Sequence, residues 1–109
     1  MAGTAISKIA EQHVRGGRLE WWRFTLDPAS IAAAAQGIET VAIPGARAGD
    51  PCFVSPEAVE ANVVPVGAAV TADDVVSVYI DNNITVTTAV DGAAKTWNLQ
   101  ILKRAVAGA

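Results

Sequence analysis

The sequence predicts an all-β fold, a single β-sandwich of seven or eight short antiparallel strands, with a jelly roll among the arrangements that fit. Three observations carry this. After residue 18 the chain breaks into short β-branched and aromatic runs separated by Gly, Pro, Asn and Asp, the punctuation of a sandwich or barrel. Several runs alternate apolar and polar residues, as a half-buried strand must, because successive side chains point to opposite faces. The length of 109 residues with 51% hydrophobic composition suits one domain with a real core.

Taken in order, the amino-terminal segment places Ile6, Ile9, Ala10, His13 and Val14 on one helical stripe that Gly16-Gly17 stops. A helix of that length needs a neighbour to lie on. The first strand is expected over 19–26, where Trp22, Phe24 and Leu26 share one face while Trp21, Arg23 and Thr25 take the other. Residues 27–37 (Asp27-Pro28, an alanine run, then Gly37) carry helix-capping signals, and fit a two-turn helix or an irregular crossover equally well. Further strands are expected over 38–43, 51–55, 63–70, 75–81, 84–89 and 96–102. Val76, Val78 and Ile80, and then Trp97, Leu99 and Ile101, supply the inward sets. Asn82-Asn83 and Asp91-Gly92 read as two-residue hairpin turns, Gly45 to Asp50 as a six-residue corner, and Thr71 to Asp74 as a polar tight link.

The charge is sparse and segregated. Charged residues make up 17% of the chain, against about 25% in an average soluble domain. A folded monomer of this mass exposes roughly 5,700 Å², so much of its surface must be Ala, Val, Thr and Gly, which favours a subunit that hides area against partners. Residues 1–18 carry +2, residues 19–102 carry −7 and residues 103–109 carry +2, within a net charge of −3. An acidic body with basic ends is a poor nucleic-acid ligand and suits basic tails on an acidic protein surface. The longest apolar run, 63–70, is far short of a membrane span, and the first residues lack the pattern of a signal peptide.

Catalytic inventory is thin. One His and one Cys, His13 and Cys52, are the only candidates for nucleophilic chemistry, and nothing in their spacing places them within hydrogen-bond reach. A structural zinc site wants about four Cys or His ligands. The pairs Glu57/Glu60 and Asp73/Asp74 are too few in oxygens for calcium and read as solvated loop edges. Gly45 to Asp50 lacks the ending of a phosphate loop. Asn83-Ile84-Thr85 matches the glycosylation triplet without a secretion signal. No cofactor is expected, and the expected function is not enzymatic. The Trp21-Trp22 pair is the most informative feature: adjacent strand residues face opposite ways, so an inward Trp22 leaves Trp21 outward beside Arg23. An outward Trp favours an interface, unless residues 1–18 fold back over it.

From Trp22 to Leu102 the chain resembles a family of small tailed-bacteriophage virion proteins. The matching elements are Ile43-Pro44-Gly45-Ala46 into Gly49-Asp50, Val54-Ser55-Pro56, Ala69 through Val78, and Thr96-Trp97-Asn98-Leu99-Gln100-Ile101-Leu102. The resemblance implies a head decoration (cement) protein, a homo-oligomer and commonly a trimer, made in the host cytoplasm and bound to the major capsid protein on the capsid surface. On that reading residues 1–18 are an arm, 19–102 the sandwich and 103–109 a tail. Ile6, Ile9 and Val14 would contribute apolar burial, Arg15, Arg18, Lys103 and Arg104 charge pairing, and Trp21 an interface contact; no nucleic acid or membrane takes part. The alternatives are a tail, connector or fibre-base subunit, and a carbohydrate-binding sandwich using Trp21 and Tyr79, taken as the only aromatics of suitable parity.

Overall fold

A computed structural model of the chain describes residues 4–28, 31–32, 35–58, 63–82 and 93–104, with side chains described from Ser7 onward. The elements are β1 (Thr4–Val14), β2 (Gly17–Leu26), β3 (Gln36–Ala42), β4 (Cys52–Pro56), β5 (Val64–Ala72), β6 (Val75–Asp81) and β7 (Lys95–Arg104). They form two antiparallel sheets, ordered β1-β2-β7-β4 and β3-β6-β5, and no helix occurs among the described residues. The all-β sandwich is therefore what the alternation predicted. The expected strand over 84–89, the turn at Asp91-Gly92 and the triplet at Asn83 lie outside the described residues.

The core forms where the alternating faces meet. Trp22, Phe24 and Leu26 of β2 and Trp97, Leu99 and Ile101 of β7 face Val41, Ile43, Val70, Val76, Val78 and Ile80 from the second sheet, all buried. In register, Trp22 lies opposite Leu99 and Phe24 opposite Trp97, so the largest side chains are cross-strand neighbours on the inner face.

The segment read as a helical stripe is instead β1, paired antiparallel with β2 along the sheet. The reason is local. Lys8 pairs with Trp22 and Ala10 with Trp21, so Ile9 is the extra residue of a β-bulge. The bulge resets the parity of the strand. It brings Lys8 and Glu11, which would oppose one another in a regular strand, to one face, where Lys8 Nζ donates to Glu11 Oε1 at 2.5 Å. Because a four-stranded sheet faces a three-stranded one, β1 overhangs. Every described side chain from Ser7 to Val14 is exposed.

The corner between β3 and β4 is braced from both sides. Gly45 and Gly49 take positive φ (83° and 93°), and Asp74 does so too at 65°, a conformation Asp tolerates better than most residues. Asp74 N donates to Ala46 O at 2.8 Å, Asp74 O accepts from Ile43 N at 2.9 Å, and its Oδ1 accepts from Gly45 N at 2.6 Å. The tight link after β5 is thus an anchor for the corner. Asn82, read as half of a hairpin turn, is buried and serves the crossover instead: its Nδ2 donates to Ile31 O at 3.1 Å and Ala32 O at 3.2 Å.

Gly17 opens β2 where β7 ends. A Cβ there would stand 2.0 Å from the Lys103 carbonyl oxygen, a backbone atom held in the sheet. Gly17→Ala is expected to cost about 1–3 kcal/mol through forced displacement of β7, read as a lower midpoint in urea unfolding. Gly16→Ala, with nothing within 4 Å of the added methyl, loses only what its positive φ imposes.

Candidate interaction surface

The two basic ends of the sequence meet in space. Arg18 pairs in register with Lys103, and Gly17 with Arg104. The β1–β2 turn carrying Arg15 and the end of β7 therefore lie together at one pole of the sandwich. A cleft of about 290 Å³ there is lined by His13, Gly17, Arg18, Lys103 and Arg104.

The last two differ from the expectation of a basic tail that pairs with a partner. Lys103 is buried: its Nζ lies 2.9 Å from Glu20 Oε1, donates to Pro44 O at 2.6 Å and sits 5.5 Å from the centre of the Trp22 ring. Alternation decides this, since Lys103 follows Trp97, Leu99 and Ile101 on the inward face of β7. Arg104 Nε donates to Asp50 Oδ1 at 3.0 Å and Nη2 to Ala48 O at 3.3 Å. Both cations hold the corner to β7 of their own chain. The sandwich strands accordingly run past the expected boundaries at 19 and 102, to Gly17 and Arg104.

Glu20 is the buried partner. Its Oε1 also accepts from Trp22 Nε1 at 2.9 Å, and Arg18 Nη2 stands 3.4 Å from its other oxygen. Burial pushes the carboxyl up, but the hydrogen bonds from Lys103 and Trp22 and the Lys103 charge outweigh it. Together they hold the carboxyl below its ordinary range. This cluster plugs the open end of the core with paired charge.

Of the other predicted contact residues, Arg15 sits in the β1–β2 turn, exposed, and Arg18 is exposed beside Glu20. Ile9 and Val14 are exposed on β1. The side chain of Ile6 and residues 105–109 lie outside the described residues. Trp21 faces outward as parity required, yet it is half-buried, because Ile9 of the adjoining strand lies beside it. Its first neighbour is its own chain.

His13 and Cys52 are not brought together. They occupy β1 and β4, the opposite edges of the four-stranded sheet, three strand spacings or roughly 14 Å apart. Burial and the nearby Asp50 carboxylate push the Cys52 thiol up, away from the thiolate that nucleophilic chemistry needs. No group of three or more His, Cys, Asp or Glu that could hold a metal occurs among the described residues.

Sequence reasoning missed Phe53. It is 72% exposed, the second residue of β4, and on the outer face with Trp21. Trp21 pairs with Gln100, and Gln100 with Phe53, so the three form one row across β2, β7 and β4. Tyr79 is on β6 in the other sheet and shares no platform with Trp21. The sequence held only part of the signal: Cys52 and Val54 alternate with Phe53 and Ser55, and it is the pairing of Cys52 with Ile101 and of Phe53 with Gln100 that turns Phe53 out.

Comparison of the chain with family models, with curated proteins and with solved structures finds no match.

Proposed function

We propose that this protein is a non-enzymatic structural subunit of a tailed-phage virion, a head decoration protein that clamps the major capsid protein from outside. The observation that carries the proposal is β1, an eleven-residue strand that among the described residues is an edge of the four-stranded sheet, with its described side chains exposed. A free strand edge offers a row of backbone donors and acceptors to another chain. Beside it, Arg15 and Arg18 give that end of the molecule a positive rim suited to an acidic protein surface. The bulge at Ile9 and the charge of Lys8 oppose indiscriminate strand addition, so docking through β1 depends on its side chains as well as its backbone. Trimeric association follows from the family resemblance, and three weak β1 contacts per trimer would multiply into firm attachment.

Removing residues 1–14 tests this. The described side chains of β1 are exposed, so the truncated protein is expected to keep the near-ultraviolet dichroism of its buried Trp22 and Trp97 and cooperative unfolding while losing cosedimentation with empty capsids. For the full-length chain, binding is expected to weaken as salt screens the Arg15 and Arg18 rim. Retention of capsid binding by the folded truncated protein would refute the proposal.

A further inference from the structure

The outer face of the four-stranded sheet carries a second surface, independent of the virion reading. We propose that it holds a saccharide-binding groove, in which Trp21 and Phe53 receive the apolar face of a neutral sugar ring and Gln100, Asn98 and Ser55 hydrogen-bond its hydroxyls. Three features of the face support this.

The first is spacing. Trp21, Gln100 and Phe53 lie in one register row, which sets the two aromatic residues two strand spacings or about 10 Å apart, with an amide between them. The next row on the same face is Arg23, Asn98 and Ser55. A groove of about 340 Å³ runs over these residues, walled by Ile9, Trp21 and Phe53 and containing Ser55, Asn98 and Gln100. That volume lies at the lower end of small-molecule sites.

The second is charge. The residues lining the groove are all uncharged, and Arg23 at its margin is engaged by Glu57 at 3.4 Å. An anionic or cationic ligand finds no counter-charge inside.

The third is the mixture of surfaces. Each amide offers both donors and an acceptor, so a purely apolar occupant would strand Gln100 and Asn98, while a purely polar one would leave Phe53 and Trp21 against water. A pyranose ring has one face of C–H groups and a rim of hydroxyls, and matches both. Aromatic faces favour such weakly positive C–H edges.

The test uses the full-length protein titrated with maltohexaose, cellohexaose and chitohexaose, followed by calorimetry and by indole fluorescence. Trp97 is buried away from the groove while Trp22 borders it from the inner face, so a spectral change that disappears in Trp21→Ala reports on Trp21. At least one probe is expected to bind saturably. Its affinity is expected to fall at least tenfold, about 1.4 kcal/mol, in Phe53→Ala and in Trp21→Ala, and by less in Gln100→Ala. Phe53 is too exposed for its removal to unfold the chain, so Phe53→Ala keeps the test interpretable if Trp21→Ala fails to fold. No saturable binding of any probe at millimolar concentration, or binding unchanged in Phe53→Ala, overturns the proposal. So does concentration-dependent self-association that Phe53→Ala abolishes, which would assign the face to a second copy of the chain. Capsid binding by Phe53→Ala stays intact on the present reading, so failure here is separable from failure of the β1 proposal.

Discussion

Lys103→Ala is expected to destabilise the fold by about 3–5 kcal/mol, because it removes the buried counter-charge of the Glu20 carboxylate and leaves only the exposed Arg18 guanidinium, 3.4 Å from its other oxygen. Glu20 is 1% exposed, and the same ammonium group also holds Pro44 O at 2.6 Å. Against a total stability of about 5–15 kcal/mol for a domain, the loss is large, and urea unfolding at neutral pH measures it. The pH dependence distinguishes the cause. In the wild type the folded Glu20 carboxyl is depressed, so it contributes stability above the ordinary carboxylate range that is lost as the pH falls through the folded value. In Lys103→Ala burial remains while the main opposing influence is gone. The folded carboxyl then rises, and its penalty at neutral pH is relieved by protonation. The gap between variant and wild type is therefore expected to narrow as the pH is lowered. Replacing both partners with apolar residues of similar shape, Glu20→Leu with Lys103→Met, is expected to recover much of the loss. A deficit below 1 kcal/mol in the single variant would show that the pair behaves like an exposed one.

Phe24→Ala is expected to cost a further 3–5 kcal/mol or so by a different route, removal of buried volume. Phe24 is fully buried and lies in register against Trp97, so the cavity opens beside a cross-strand aromatic pair of the inner face. A domain of this size loses roughly 4–8 °C per kcal/mol, and calorimetry should show a fall well beyond 10 °C. Phe53→Ala is the matched control. The same chemical change two strands away, on the outer face, is expected to stay within about 0.5 kcal/mol. Equal losses would mean that the faces of the sheet are assigned the wrong way round.

Alternation made β2, β6 and β7 legible to within a few residues, because each is buried on one face and the period-two pattern is then enforced by the core. β1 was illegible for a definite reason. An inserted residue at Ile9 breaks that period, and the remaining spacing of Ile6, Ile9, His13 and Val14 imitates a helix. Lys103 was assigned to a partner-binding tail because a Lys-Arg pair near the end of the sequence reads as part of a basic arm. Only the arrival of Glu20 and the Pro44 carbonyl, distant in sequence, makes an inward lysine tolerable. Outward Trp21 was readable from its neighbour Trp22, whereas Phe53 was hidden by its own hydrophobicity. Its strand is five residues long, too short for pattern alone to choose a face, and the choice is made by pairing with β7. Strand order itself left no local trace in the sequence.

That order has a bearing on how the molecule comes into being. β7 is inserted between β2 and β4, so the wider sheet has a gap at its middle until residues 95–104 have left the ribosome. The β1–β2 hairpin can zip as soon as it is made. β4, by contrast, has no partner in its own sheet until the final strand arrives and seals both seams in one event. Closure of the wider sheet on these terms waits for residues 95–104 and is dominated by contacts between segments distant in sequence, which makes it slow for the size of the domain. During synthesis the nascent chain presents two unzipped edges to its surroundings, and crowded translation of many copies would favour strand exchange between them unless a chaperone keeps them apart.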